Sequence, residues 1–247
     1  MTHRFIHIKP KTSFDIDITF NIEPGITCVI GDSGAGKTTI LRAISGLENH
    51  PNSIISIDSH WQNEHLFVPT YKRNLAYALQ ENNLFSHLNV RKNLELINAD
   101  ESQFSSLKTT LRIADLEEKF TSELSGGEKQ RIALYKAFII DSEIILLDEP
   151  LSAVDSHHKK IILTKIQQLK QFIKKPIIYV SHNYDEITQI ADQIICIQKG
   201  RKVFDLPFSS NNLNKYFQKN EPRQISSLFD MKLDTNSNHE DISTLTN

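Results

Sequence analysis

The sequence predicts an α/β fold built around a parallel sheet. Three short runs of apolar, mostly β-branched residues have the composition of strands that are buried on both faces of a sheet; they occupy residues 26–30, 144–147 and 177–180. Helical patterns separate or follow these runs, at residues 38–44, 127–140, 159–173 and 184–191. Alternation of strands and helices is typical of α/β proteins with a parallel sheet.

Shorter elements are predicted in the N-terminal half. Apolar residues alternate with polar ones over residues 14–20, which indicates a half-buried strand, and residues 53–57 and 66–68 also favour short strands. From residue 84 to about 114 the pattern is helical, with polar interruptions.

Composition and charge narrow the class of protein. With 28 basic and 30 acidic residues the chain is nearly neutral, so it shows no overall preference for nucleic acid or an anionic membrane. Cys28 and Cys196 lie in apolar stretches, as buried thiols in a reducing compartment do. The N-terminus lacks the apolar run of a signal peptide, and no segment reaches the ~18 apolar residues that cross a bilayer. We therefore expect a soluble, cytoplasmic protein.

A phosphate-binding loop is the first chemical motif. Residues 31–38 match the pattern G-x-x-x-x-G-K-[ST] and lie between a predicted strand and a predicted helix, a context that makes a chance glycine-rich turn a poor alternative. Lys37 is expected to reach the β- and γ-phosphates, and the Thr38 hydroxyl to ligate Mg²⁺. The predicted phosphate contacts are Gly31, Asp32, Ser33, Gly34, Ala35, Gly36, Lys37, Thr38 and Thr39.

An acidic pair ends the second buried strand. Asp148 follows four apolar residues and should emerge at the carboxyl edge of the sheet, where ligands bind in open α/β folds. Its carboxylate is suited to Mg²⁺, and Glu149 is suited to be the general base that orients an attacking water. The alternative is a strand that simply ends in exposed acidic residues. The presence of the phosphate-binding loop in the same sequence argues against this alternative.

Residues 124–131, Leu-Ser-Gly-Gly-Glu-Lys-Gln-Arg, resemble the LSGGQ signature of ATP-binding cassettes, with Glu128 in place of the usual glutamine. The serine and glycines begin a predicted helix whose N-terminus can face an anion, although an ordinary helix cap is the alternative. The resemblance implies a head-to-tail homodimer in which Ser125, Gly126 and Gly127 contact the ATP held by the other subunit.

Three weaker features fit the same family. Gln80 resembles the Q-loop glutamine, residues 152–155 resemble the D-loop that crosses the dimer and includes Asp155, and His182 resembles the switch histidine near the γ-phosphate. The resemblance implies catalytic roles for Lys37 and Glu149 together with Gln80 and His182. Magnesium ligands would be Thr38, Gln80 and Asp148, with ATP as the bound nucleotide.

The resemblance also implies an architecture. A phosphate-loop NTPase core with a RecA-like parallel sheet would carry an N-terminal antiparallel β subdomain and an α-helical subdomain from about residue 85 to 136. The cassette would occupy residues 1–206. Residues 207–247 would form a polar tail, since residues 234–247 almost lack large apolar side chains and are expected to be disordered.

Within the family, residues 25–31 and 75–94 are similar to the ATPases of molybdate importers. This implies integral membrane permease subunits as partners, a substrate-binding protein that acts through them, no nucleic acid, and a position on the inner face of the cell membrane. Leu84 and Phe85 could offer apolar surface to the permease or belong to the core. Such ATPases usually continue into an oxyanion-binding domain, which the tail is too short to form, so we expect no direct feedback by oxyanion.

Other interpretations stay open at this stage. The chain could serve an importer of another small solute, or it could be a non-transport cassette ATPase acting on DNA or ribosomes, although it lacks the coiled-coil insertions or second cassette of such proteins. A phosphate-loop kinase does not account for residues 124–128. No aromatic residue is clearly placed to stack on adenine, because Phe5 and Phe14 favour the core. Trp61 is predicted to lie in a polar connection between strands and suggests no function.

Overall fold

The computed structural model describes residues 4–9, 16–79, 84–97, 99 and 101–208. The strands are β1 (Phe5–Ile8), β2 (Ile18–Asn21), β3 (Gly25–Ile30), β4 (Ile54–Ser56), β5 (His60–Gln62), β6 (Leu75–Ala78), β7 (Ile144–Asp148), β8 (Pro176–Val180), β9 (Gln193–Gln198) and β10 (Arg201–Pro207). The α-helices are α1 (Lys37–Ser45), α2 (Val90–Glu95), α3 (Ser105–Thr110), α4 (Gly126–Ile139), α5 (Ser156–Lys170) and α6 (Tyr184–Ile190). Four 3-10 turns occupy Thr70–Lys72, Ser102–Phe104, Ala114–Leu116 and Thr121–Glu123.

The larger sheet has the order β10-β9-β3-β8-β7-β6. Strands β9, β3, β8, β7 and β6 are parallel, and β10 pairs antiparallel with β9. The predicted α/β fold with a parallel sheet is thus confirmed. Because β3, β8 and β7 are adjacent, the segments that follow them, which carry the sequence motifs, meet at one edge of the sheet.

A second, antiparallel sheet has the order β2-β1-β4-β5. Alternate residues of β1 and β2 are buried, which gives the two-residue period expected of a sheet with one covered face. Helix α1 lies between the two sheets, and Ile40 and Ile44 join a buried cluster that also contains Ile6 of β1 and Val29 of β3. The helix that follows the phosphate-binding loop is therefore held on both sides.

The opposite face of the larger sheet is covered by the remaining helices. Their buried side chains, among them Tyr135 and Phe138 of α4 and Ile166 of α5, form one cluster with residues of β3, β7 and β8. Cys28 and Cys196 belong to this cluster as free, buried thiols, as predicted. Burial is the main cause that raises the pKa of Cys196 to about 12.

Two predictions from the sequence were wrong. Residues 66–68 do not form a strand, because only Phe67 makes an isolated bridge to Gln62, and the strand in this region is β5. Trp61 is not in a polar connection: it lies in β5, is 2 % exposed, and its Nε1 donates to the Ser59 hydroxyl at 2.9 Å. A buried tryptophan with a bonded N–H is part of the core of the antiparallel sheet.

Several expectations concern residues that lie outside the described ranges. These are the first part of the strand predicted at 14–20, the aromatic candidate Phe14, the Q-loop residue Gln80, and residues 209–247 of the predicted tail. Of the two residues left open, Leu84 packs partly buried against the core and Phe85 is 52 % exposed. Across the described ranges, every helix is too short or too polar to traverse a bilayer.

Candidate functional site

The phosphate-binding loop runs from the end of β3 to the start of α1. Gly31 approaches the neighbouring strand so closely that a Cβ placed there would lie 2.3 Å from the carbonyl oxygen of Ile197, so no side chain fits. Asp32, Ser33 and Gly34 are exposed at the outer side of the loop, and Thr38 is exposed in the first turn of α1. The unpaired N–H groups of this turn make the loop a suitable site for an anion.

Lys37 holds its ammonium group inside the loop. Its Nζ donates to the carbonyl oxygens of Gly31 and Asp32, each at 2.8 Å, and the residue is 8 % exposed. Burial lowers the pKa of Lys37, whereas the nearby carboxylates of Glu149 and Asp148 oppose that shift. A positive charge therefore lies at the centre of the loop, next to the two predicted acidic residues.

Asp148 is almost completely buried at the end of β7. Burial raises the pKa of its carboxyl group, and a hydrogen bond from the Thr38 side chain opposes this shift. The second oxygen, Oδ2, is buried and has no hydrogen-bond partner within the described part of the chain. An unpaired buried carboxylate oxygen is costly, and a hard cation or its water would satisfy it. The residues Thr38 and Asp148 therefore fit Mg²⁺.

Glu149 has an unusual backbone conformation. Its φ of 46° lies in the left-handed region, and its N–H donates to the carbonyl oxygen of Val180 at 3.0 Å. Its carboxylate oxygen Oε1 lies 2.9 Å from Nδ1 of His182, which follows β8 and is 66 % exposed. The strained backbone thus turns a carboxylate out of the sheet edge towards an accessible imidazole.

The signature residues begin α4 with a capping box. The Ser125 hydroxyl accepts from the N–H of Glu128 at 3.2 Å, and the Glu128 carboxylate accepts from the N–H of Ser125 at 2.7 Å. Lys119 lies 3.0 Å from the same carboxylate. The hydrogen bond from the Ser125 backbone is the main cause that lowers the pKa of Glu128 from 4.5 to about 2. Ser125 and Gly126 are exposed, so the start of α4 faces solvent.

The D-loop residues contact the side of α4 and begin α5. A Cβ at Gly127 would lie 2.7 Å from the carbonyl oxygen of Ala153, so α4 and the loop are in contact here and leave no room for a side chain. Asp155 caps α5: its carboxylate accepts from the N–H of His158 at 3.1 Å and lies 2.7 Å from that residue's Nδ1. These hydrogen bonds lower the pKa of Asp155 to about 2.

The structure thus brings together Lys37, Asp148, Glu149 and His182 at one edge of the larger sheet, beside the loop 31–38. Ser125, Gly126 and Gly127 form a separate surface at the start of α4. Asp155 belongs to the segment between these two surfaces, and the described ranges do not include Gln80.

Two sets of contacts beside the site were not predicted from the sequence. Gln130 of α4 is 8 % exposed and bonds to residues 149–153. Glu186 of α6 accepts from Tyr179 at 2.8 Å and from Ser181, next to His182, at 2.9 Å, and Lys159 of α5 lies 3.0 Å from it. Only the placement of a glutamine and a glutamate on otherwise buried helix faces could have indicated these contacts from the sequence.

Comparison with known proteins places the site in a family context. The family described as ABC transporter matches residues 16–152. The molybdenum import ATP-binding protein ModC of Pseudomonas fluorescens is 38 % identical over 218 residues, which are 82 % of this chain and 60 % of that protein. ModC of Methylococcus capsulatus is 36 % identical over 81 % of this chain and 58 % of its own length. The chain thus spans about three fifths of the length of these curated relatives.

Solved structures give the same fold. An ATP-binding subunit of an ABC transporter superposes with a TM-score of 0.75 at 19 % identity, over 92 % of this chain and 99 % of its own. A dimeric ATP-binding cassette in a post-hydrolysis state, bound to ADP and Pi, gives a TM-score of 0.67 at 23 % identity, over 85 % of this chain and 100 % of its own. The resemblance in fold therefore extends well beyond the residues that match the family.

Proposed function

Because the chain belongs to the ABC transporter family, we propose that it is the ATP-hydrolysing subunit of an importer for molybdate or a related oxyanion. The observation that carries the hydrolytic activity is the pair of Glu149 and His182, 2.9 Å apart, beside the buried Lys37 and Asp148. The substrate assignment is supported by the molybdenum import proteins to which the chain is 36–38 % identical.

The residues of the site divide the chemistry among them. Lys37 and the N–H groups of the loop bind the phosphates, and Lys37 exchanges its two carbonyl partners for phosphate oxygens. Thr38 and Asp148 would hold Mg²⁺, which neutralises charge on the phosphates. Glu149 accepts a proton from the water that attacks the γ-phosphorus in line, and ADP and inorganic phosphate leave. His182, hydrogen-bonded to Glu149, fixes the carboxylate and lies next to the γ-phosphate.

A head-to-tail homodimer completes each site in this proposal. The start of α4 is exposed at Ser125 and Gly126, whereas the phosphate-binding loop lies at the end of β3. Helix N-termini favour anions, so this surface suits the γ-phosphate of ATP bound to a second copy. A cassette of the same fold has been solved as a dimer, which supports the association of two copies.

For transport, we infer that the chain binds integral membrane permease subunits and that a substrate-binding protein acts through them. The exposed Phe85 is the apolar residue we assign to permease contact. Asn93 holds this turn in shape, because its side chain bonds the backbone of Phe85, Leu88 and Asn89. The chain would lie at the cytoplasmic face of the membrane through this contact.

Complementation between two defective chains tests the shared site. Ser125→Arg blocks the signature surface and Lys37→Ala removes the phosphate contact, so each variant alone should fail to hydrolyse ATP. A mixture contains heterodimers with one intact composite site, formed by Lys37 of one chain and Ser125 of the other. The mixture is expected to trap more ATP than either variant alone, and a mixture that traps no more ATP than its components contradicts the dimer.

The transported solute is tested in vesicles that contain the chain together with its permease and substrate-binding protein. ATP-dependent uptake of molybdate or tungstate, abolished by Lys37→Ala, is the expected result. Uptake of another solute with no molybdate transport would keep the ATPase assignment and replace the substrate.

A further inference from the structure

Gln130 is a buried polar residue on a helix that is otherwise packed through apolar side chains. It lies on α4, five residues after the cap Ser125, and is 8 % exposed. A buried amide is costly unless its donors and acceptor are paired. Its hydrogen bonds therefore identify the segment to which this face of α4 is attached.

Within the described part of the chain, every hydrogen bond of the Gln130 amide goes to one short segment, residues 149–153. Nε2 donates to the Ser152 hydroxyl at 2.7 Å and, at a longer 3.5 Å, to the carbonyl oxygen of Glu149. Oε1 accepts from the N–H of Ala153 at 2.7 Å. One side chain thus bonds both the D-loop and the backbone of the proposed general base.

A second contact from the same face makes this attachment stiff. Gly127, three residues before Gln130 and therefore on the same side of the helix, packs against the carbonyl group of Ala153. The segment that these residues hold begins at Glu149, whose positive φ makes the direction of its side chain sensitive to a shift of its neighbours. A displacement of the start of α4 is therefore passed to the carboxylate that faces His182.

We infer that Gln130 is a positioning residue that couples the two composite ATP sites of the dimer. This inference rests on the proposed function, in which the start of α4 contacts the nucleotide of the partner while Glu149 acts on the nucleotide of its own chain. Closure of α4 on the partner's ATP moves the segment 149–153 through Gln130 and sets Glu149 for hydrolysis. Binding of ATP at one site thereby enables hydrolysis of ATP at the other.

The test compares Gln130→Met with the wild-type full-length chain. Methionine keeps the length and apolar volume of the side chain and removes its three hydrogen bonds. We expect a fall in kcat of about tenfold, with the KM for ATP changed less than about twofold, because a typical coupling between sites corresponds to a factor of about 5 to 150. The Hill coefficient for ATP should fall towards 1.

Gln62→Met is the matched control. Gln62 is also a buried glutamine, 2 % exposed, and its amide donates to the carbonyl oxygen of His50 at 2.6 Å in the antiparallel sheet. Its substitution should lower the melting temperature and leave the Hill coefficient unchanged. Where Gln130→Met does not fold, Ser152→Ala removes one partner from an exposed position and should lower the Hill coefficient in the same direction by a smaller amount.

The outcomes separate this inference from the proposed function. Hydrolysis by the wild type with a Hill coefficient of 1, or an unchanged Hill coefficient and kcat in folded Gln130→Met, overturns the coupling and leaves the ATPase assignment intact. A wild-type chain that binds ATP without hydrolysing it, alone or with its permease, overturns the proposed function, and the coupling with it.

Discussion

The two surfaces of the proposed ATP site are built in opposite ways. At the sheet edge, groups are left strained, unpaired or exposed: Glu149 has a φ of 46°, Asp148 has a buried oxygen without a hydrogen-bond partner among the described residues, and His182 is 66 % exposed. At the start of α4, the polar side chains are satisfied within the chain, because Ser125 and Glu128 bond each other's backbone N–H.

This difference corresponds to the two tasks. Groups that react or bind a cation need hydrogen-bonding or ligating atoms that are not already paired within the folded chain. The rest of the fold must then hold these groups in place. A surface that only caps an anion needs fixed N–H groups, which a well-capped helix provides. The sheet edge should therefore respond to substitution mainly in activity, and the start of α4 mainly in stability and geometry.

The largest effect is expected at the sheet edge. Glu149→Gln keeps the shape of the side chain and removes the proton acceptor, so ATP hydrolysis should fall by about 100-fold or more while ATP still binds. Single-turnover hydrolysis and binding of a fluorescent ATP analogue measure the two properties separately.

Glu143→Gln is the control for this experiment, because Glu143 precedes the same strand β7 at its opposite end. It should hydrolyse ATP at the wild-type rate. Wild-type turnover by Glu149→Gln would remove Glu149 from the mechanism and weaken the contrast between the two surfaces.

An intermediate effect is expected where α4 meets the D-loop. In Gly127→Ala the new methyl group would lie 2.7 Å from the carbonyl oxygen of Ala153, a backbone atom that cannot move alone. We expect a loss of about 1–3 kcal/mol in the free energy of unfolding, as for other overpacked contacts. Urea unfolding of the isolated chain measures it.

Gly126→Ala is the matched control. A Cβ at Gly126 would lie 3.8 Å from that of Ala153, an ordinary contact, and alanine favours helix by about 0.5–1 kcal/mol. The control should be as stable as the wild type or more so. Equal losses in both variants would mean that glycine is needed here for the helix start rather than for close packing.

The sheet edge was largely predictable from the sequence, and the contacts between segments were not. The loop 31–38, Asp148, Glu149 and His182 each follow a run of buried apolar residues, so local pattern fixes both the strand and the position of the motif at its end. The hydrogen bonds of Gln130 join residues 19 to 23 positions apart, and no local pattern contains that information.

Strand β5 and Trp61 show a related limit. Polar residues surround Trp61 in the sequence, so the segment suggested a connection, yet the antiparallel sheet buries the indole and Ser59 accepts its N–H. Strand β10 was not predicted for the same reason, because its formation depends on pairing with β9 and its own composition is mixed. Pairing with distant strands therefore determines β5 and β10, whose own sequences have only a weak preference for a strand.

The smallest effect is expected from the charge at the start of α4. The folded-state pKa of Glu128 is about 2 and its ordinary value is 4.5, so the native state favours the ionised form. Its contribution to stability is present above the unfolded-state pKa and is lost as the pH falls from about 5 towards 2. In Glu128→Gln the amide oxygen still accepts from the Ser125 N–H, but the charge near the helix N-terminus and Lys119 is gone.

We therefore expect Glu128→Gln to be less stable than the wild type by about 1 kcal/mol at pH 7, in line with the charge effects measured at helix N-termini. The difference should shrink as the pH falls below about 5 and largely vanish near pH 2, where the wild-type carboxylate becomes protonated in the folded state as well. Lys119→Met should cost less, because Lys119 is 43 % exposed and exposed ion pairs contribute little. Urea unfolding of the wild type and both variants at pH 7, 4 and 2 measures these differences. A difference that persists in full at pH 2 would assign the effect to the geometry of the capping box, and the contrast between a reactive edge and a charge-stabilised cap would then rest on packing alone.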